Sequence, residues 1–115
     1  MPATVTSGHP YPRRGEIYLV QLDKRRPALI ISTDALNRHA LDVCVVPITG
    51  VEHKTFSLRI PLRAGEAGLH SSSCAKCDQV TTIEKSLLVY PPIGRLSRST
   101  LRQVEQAIKL ALDLA

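Results

Sequence analysis

Residues 24–34 read Lys-Arg-Arg-Pro-Ala-Leu-Ile-Ile-Ser-Thr-Asp: three consecutive cations and a proline running into a stretch that is apolar on both faces. A short continuous apolar run bounded by turn residues is the pattern of a buried strand. Such a strand needs neighbours at both edges and cover on both faces, which commits the chain to a sheet-based core. It also ties Lys24, Arg25 and Arg26 to a rigid element, and firmly placed guanidiniums suit bidentate recognition of phosphate. The simpler reading of the same residues is a solvated charge cluster at a strand end.

At 115 residues the chain suits one domain with a single core. Its 43% hydrophobic and 22% charged content is ordinary for a globular protein and excludes wholesale disorder. A net charge of +5 favours a polyanionic partner such as nucleic acid, an acidic protein tail or an anionic membrane. No apolar run approaches the ~18–20 residues of a membrane span, so no membrane association through a spanning helix is expected. Residues 1–12 carry three prolines and a glycine and lack a signal-peptide core, which predicts a flexible leader on a cytoplasmic protein. Three unevenly spaced cysteines fit a reducing compartment better than a disulfide framework.

From Arg13 onward the pattern is short strands separated by turn signals. Strands are expected over residues 16–22, 28–33, 42–49, 56–61, 73–82 and 89–96, the last broken by Pro91-Pro92. Asp34 is expected to cap a helical turn over residues 35–39. Ser97 should cap a C-terminal helix whose Leu101, Val104, Ile108 and Ala111 share one face, reinforced by Ala107 and Leu112. The set predicts a mainly β fold, a small antiparallel barrel with a C-terminal α-helix packed on it. Four aromatic residues, Tyr11, Tyr18, Phe56 and Tyr90, are too few for the stacking platform of an RNA-recognition sheet. Cys74-x-x-Cys77 with His70 four residues earlier raises a zinc site, but a regular strand turns the two thiols to opposite faces and a fourth ligand is missing, so no metal site is expected. His9, His39 and His53 read as surface residues.

Four blocks stand in order: RRGEIYLVQLD (13–23), RRPALIISTDALNRH (25–39), VVPIT (45–49) and CDQVTTIEKSLL (77–88), followed by IGRLS (93–97). Together they resemble the MazF/PemK family of toxin endoribonucleases, the mRNA interferases of type II toxin–antitoxin systems, over nearly all of residues 13–114. The resemblance implies an SH3-like barrel of the MazF/CcdB-like toxin type over residues 13–115 and a homodimer. It implies metal-independent, sequence-specific cleavage of single-stranded RNA to 2′,3′-cyclic phosphate and 5′-hydroxyl ends, with no cofactor. It also implies a cognate antitoxin whose acidic C-terminal tail occupies the RNA groove.

The resemblance assigns residues position by position. Arg26 matches the arginine before the family's proline, and Thr49 the threonine that ends its V-P-[IVC]-T strand. Lys76-Cys77-Asp78 stands where some relatives carry a catalytic Arg-Cys-Asp triplet, which makes Lys76 and Asp78 candidates. Lys24, Arg25, Arg38 and Gln79 are the candidate RNA-binding side chains. Many members carry a longer Gly/Glu/Gln-rich loop between the first two strands, where this chain has only Asp23-Lys24-Arg25. That departure leaves open which residue is the general base and which the general acid.

Metal-free cleavage uses the substrate's own 2′-hydroxyl as nucleophile. The enzyme must remove its proton, stabilise the extra charge on phosphorus and protonate the departing 5′-oxygen. Arg26, permanently charged and fork-shaped, suits the second task. Thr49 at a strand end can hold a phosphate oxygen in line, or it can be bonded to its own turn. Period-2 alternation puts Lys76 and Asp78 on one face, either as an acid–base or orienting pair or as a half-exposed ion pair. Two other functions use the same architecture: a non-catalytic relative that binds RNA or an acidic peptide, and a toxin that poisons DNA gyrase and has no need of the Arg26–Thr49 pair.

Overall fold

The protein is seen here as a computed structural model, which describes residues 11–50 and 58–115. The elements run β1 (Glu16–Gln21), β2 (Arg25–Ile30), α1 (Asp34–His39), β3 (Asp42–Thr49), β4 (Arg59–Leu62), β5 (Ser73–Lys76), β6 (Thr81–Glu84), β7 (Leu88–Arg95) and α2 (Arg98–Leu112). Short 3-10 turns occupy Glu66–Gly68 and Lys85–Leu87. All paired strands are antiparallel, in the order β4-β5-β3-β2-β1-β7, with β6 also on β3.

β3 is the hub. Ala28, Leu29 and Ile30 of β2 pair with Pro47, Val46 and Val45 along one edge. On the other edge β6 pairs with Asp42 to Val45 and β5 with Ile48 and Thr49. A proline inside a central strand removes a ladder donor. Pro47 stands where β3 passes from β6 to β5, so the missing N–H falls at a break in that second ladder.

The sheet carries a hydrophobic cluster on each face. Leu29, Val46, Ile48, Leu62, Ala75 and Cys77 meet Val104 and Ala107 of α2. Tyr18, Val20, Ala28, Ile30, Val43, Val45 and Leu88 form the other cluster, on the face away from α2. Burying one such aliphatic side chain contributes about 1.5–3 kcal/mol, so the two layers account for the strand order.

The sheet is not closed into the expected barrel: among the described residues its ends, β4 and β7, do not pair with each other. The Glu66–Gly68 turn packs against β7 instead. Backbones approach so closely there that a Cβ on Gly94 would strike the Ala67 carbonyl and one on Gly68 the Ile93 carbonyl. Only glycine leaves that space at both positions.

Several boundaries differ from expectation for identifiable reasons. β2 begins at Arg25, inside the cationic run, because Gln21 pairs with Arg25 across a three-residue connection, Leu22-Asp23-Lys24. The strand expected over 73–82 is two strands, since the chain turns at Cys77-Asp78 and Gln79 N–H bonds back to the Lys76 carbonyl. Pro91-Pro92 does not break β7: the register to β1 shifts between Ile17–Gly94 and Leu19–Val89, and the bulge absorbs both prolines. Phe56 and Ser57 of the expected fourth strand lie outside the described residues. Thr33, not Asp34, caps α1 by accepting from Leu36 N–H at 3.3 Å, while the Asp34 carboxylate takes Arg14 N–H at 2.8 Å. Ser97 caps α2 as expected, accepting from Thr100 N–H. Leu112 is 49% exposed and, like Ala111, stands outside the cluster that holds Leu101, Val104, Ala107 and Ile108. Most of the expected leader, residues 1–10, lies outside the described residues, but Pro12 is fully buried and belongs to the folded domain.

At the start of β1 the core holds polar groups. Glu16 is buried and its Oε1 accepts from the Tyr18 hydroxyl at 2.9 Å and from Arg13 N–H at 2.7 Å. Tyr18 is fully buried, with Tyr90 edge-on to it at 5.1 Å. Burial, then the Glu16 carboxylate, raises the Tyr18 phenol far above its ordinary range, and burial raises Tyr90 as well. Burial pushes the Cys77 thiol from 9.0 up to about 11. These acids stay neutral in the fold while their unfolded counterparts ionise, so the unfolded state binds fewer protons at alkaline pH and stability falls as pH rises. Urea unfolding midpoints are therefore expected to drop between about pH 8 and about pH 10.5, with a smaller drop in Tyr18→Phe. Equal midpoints at both values would refute this assignment of the buried phenol.

Candidate nucleic-acid interface

Strand register decides which side chains share a face. Residues directly opposite each other in an antiparallel pair point the same way. Carrying the Ala28–Pro47 register two residues further puts Arg26 opposite Thr49. On the other edge Thr49 is opposite Cys74, two residues before Lys76, so period 2 puts Lys76 on the same side. Arg26, Thr49 and Lys76 thus extend the face that carries Ala28, Ile30, Val43 and Val45, the face that α2 leaves free.

These residues line an open groove of about 580 Å³. Its charged lining is Lys24, Arg25, Arg26 and Lys76, and its floor is apolar, with Val20, Leu22, Pro27, Pro47 and Ile83. His70, Ser71, Ser73 and Thr81 complete the polar part of the wall. A cationic rim over an apolar floor suits an anionic backbone with flat, partly apolar attachments.

The rim is held by local hydrogen bonds. Arg25 Nε donates to Gln21 Oε1 at 2.9 Å, and Lys24 N–H to Asp23 Oδ1 at 2.9 Å. Arg26 Nε lies 3.9 Å from Asp23 Oδ1, in a pair whose side chains are 53% and 79% exposed. So wet an ion pair contributes under about 1 kcal/mol and leaves the guanidinium available to a ligand.

The structure brings together five of the eight residues expected from sequence: Lys24, Arg25, Arg26, Thr49 and Lys76. Asp78, Gln79 and Arg38 are not among the lining residues. The pairing expected for Lys76 and Asp78 fails because β5 ends at Lys76, so alternation does not reach Asp78, which is exposed in the turn beyond. Gln79 is exposed after the same turn. Arg38 lies on α1, its guanidinium 5.9 Å from the Tyr11 ring, which Arg13 also approaches at 4.9 Å. His39 is exposed, as expected, whereas His9 and His53 lie outside the described residues. All three cysteines are free, and Cys74 and Cys77 are both buried.

Sequence reasoning missed His70 and the serines at 71 and 73 as groove residues. Only the tertiary course of the β4–β5 connection brings them into the groove that Thr49 lines.

Residues 13–112 match the model of the PemK-like, MazF-like toxins of type II toxin–antitoxin systems. The chain belongs to this family. It is 36% identical over 115 residues to endoribonuclease MazF9 of Mycobacterium tuberculosis, an alignment covering 89% of this chain and 97% of that protein. Among solved structures it resembles the Mycobacterium tuberculosis toxin MazF-mt6 with a TM-score of 0.77 and 33% identity, over 87% of this chain and 98% of that one. A mycobacterial endoribonuclease solved in complex with its cognate antitoxin matches with a TM-score of 0.75 and 27% identity, over 90% and 95% of the two chains. The family's mainly antiparallel sheet with a C-terminal helix is the architecture found here, and the shared region contains the whole groove described above.

Because Arg26 packs little area, Arg26→Ala is expected to change unfolding free energy by no more than about 0.5–1 kcal/mol. A larger loss in chemical denaturation would mean that the guanidinium supports the fold and is not held ready for a ligand.

Proposed function

We propose that this toxin endoribonuclease cleaves single-stranded RNA, mRNA included, without a metal ion, leaving 2′,3′-cyclic phosphate and 5′-hydroxyl ends. The observation that carries the reading is the placement of Arg26, Thr49 and Lys76 on one face of the sheet, within one cationic groove. In the proposed reaction the RNA 2′-oxygen attacks the adjacent phosphorus. Arg26 meets the charge that develops on the non-bridging oxygens with a permanently charged, fork-shaped guanidinium. The Thr49 hydroxyl holds one of those oxygens so that attack and departure stay in line. Lys76 adds positive charge from the β5 side, and Lys24 and Arg25 bind flanking phosphates.

The antitoxin partner follows from the same groove. A cationic rim above apolar side chains fits an acidic antitoxin tail with apolar anchors as well as it fits RNA, so the two ligands compete for one surface. We further propose that the toxin acts as a cytoplasmic homodimer, in which two copies place two Lys24-Arg25-Arg26 clusters along a shared surface. No helix among the described residues is long and apolar enough to cross a membrane.

Digestion of a mixed-sequence RNA in EDTA, with both product ends identified, tests this reading. Cleavage should persist and leave cyclic phosphate and 5′-hydroxyl ends. Arg26→Ala should be slower by about two orders of magnitude or more, with a milder loss for Thr49→Ala. Products with 5′-phosphates, or activity that vanishes with the chelator, would overturn the proposed chemistry.

A further inference from the structure

Cleavage by a 2′-hydroxyl needs a proton delivered to the departing 5′-oxygen, and the cations of the groove are poorly suited to deliver it. Lysine and arginine ordinarily hold their protons far above neutral pH, so side chains of these types supply charge more readily than a transferable proton. Serine and threonine hydroxyls do not ionise near neutrality. Histidine is the side chain that ordinarily gains and loses its proton between about pH 5 and 8. Among the described lining residues the one histidine is His70.

His70 lines the same groove as Arg26 and Thr49. Leu69 before it is buried in the main cluster. The backbone there is tied twice to the Glu66–Gly68 turn, by Gly65 N–H to the Leu69 carbonyl at 2.7 Å and by Leu69 N–H to the Glu66 carbonyl at 2.9 Å. The imidazole is therefore exposed on an anchored segment, three residues ahead of β5. β5 lies on one edge of β3 and β2 on the other. A phosphate between Arg26 and Thr49 thus lies in a groove lined both by the β2 cations and by His70 of the connection into β5. In-line displacement puts the attacking and departing oxygens on opposite sides of phosphorus.

We infer that His70 is the general acid of this groove, donating a proton to the 5′-oxygen as it leaves; the inference rests on the ribonuclease reading above. The 2′-oxygen forms its bond to phosphorus and its proton passes to water. The P–O5′ bond breaks, its electron pair stays on the 5′-oxygen, and that oxygen takes the proton of the imidazolium. The neutral imidazole regains a proton from solvent before the next turnover.

A leaving group that needs no proton isolates this role. Wild type, His70→Gln and His70→Asn are compared in single turnovers on an RNA oligonucleotide that carries one mapped cleavage site. They are compared again on the same oligonucleotide with sulfur in place of the scissile 5′-oxygen. Both variants should lose about 100-fold or more on the oxygen substrate, the scale of general-acid catalysis, and only a few-fold on the sulfur substrate. Binding of the uncleavable 2′-deoxy oligonucleotide should be unchanged. Full activity of the variants on oxygen, or equal losses on both substrates, overturns the role of His70 while leaving the ribonuclease reading intact. A wild-type protein for which no RNA cleavage site can be mapped overturns the ribonuclease reading itself.

Discussion

Everything in this fold that bears on function depends on how β3 shares its two edges. One edge is committed to β2, and the other is divided between β6 and β5. That division places the C-terminal end of β3, and Thr49 with it, between the strand that carries Arg26 and the strand that carries Lys76. Pro47 is tolerated because it sits at the division. A one-residue slip of the β2–β3 register would send Arg26 to the opposite face and bury it against α2. β2 is apolar on both faces, so the cost that opposes the slip is burial of the Arg26 charge, and strand pairing and alignment of the site are one constraint.

α2 covers one face of the sheet and leaves the other to form the groove. Thr100 Oγ1, in the first turn of α2, donates to Glu66 Oε2 at 3.0 Å, and Arg14 pairs with Glu105 at 2.7 Å. Both contacts tie the helix to connecting segments on its own side. The helix thus stabilises the sheet from behind, while the groove on the other face stays open and cationic.

Much of this was legible in the sequence. The apolar runs at 16–22 and 28–33 and the Val-Val-Pro-Ile-Thr strand are short, continuous and bounded by turn residues, as buried strands are, and the Leu101-Val104-Ile108 stripe carries the helical period. The register that aligns Arg26 with Thr49 is not written in β2, whose Ala28, Leu29 and Ile30 are buried on both faces, and it emerges only from the pairing with β3. What stayed hidden depends on tertiary course. A turn at Cys77-Asp78 looks in sequence like a continuing strand, and alternation carried through it sets Asp78 beside Lys76, where β5 in fact ends. The Gly68–Gly94 contact, which joins the Glu66–Gly68 turn to β7 in place of a closed barrel, has no local signal. His70 lies in a connection whose path is set by Leu69 reaching the core, and from sequence it invited only a zinc reading.

The central claim is that Arg26 and Thr49 act together on one phosphate. It is tested most directly by single-turnover RNA cleavage in Arg26→Ala, Thr49→Ala and the double variant. Two groups that hold one transition state are strongly non-additive. The account predicts that the double variant is scarcely slower than Arg26→Ala alone. Losses that simply multiply would show that the two residues act independently and contradict it.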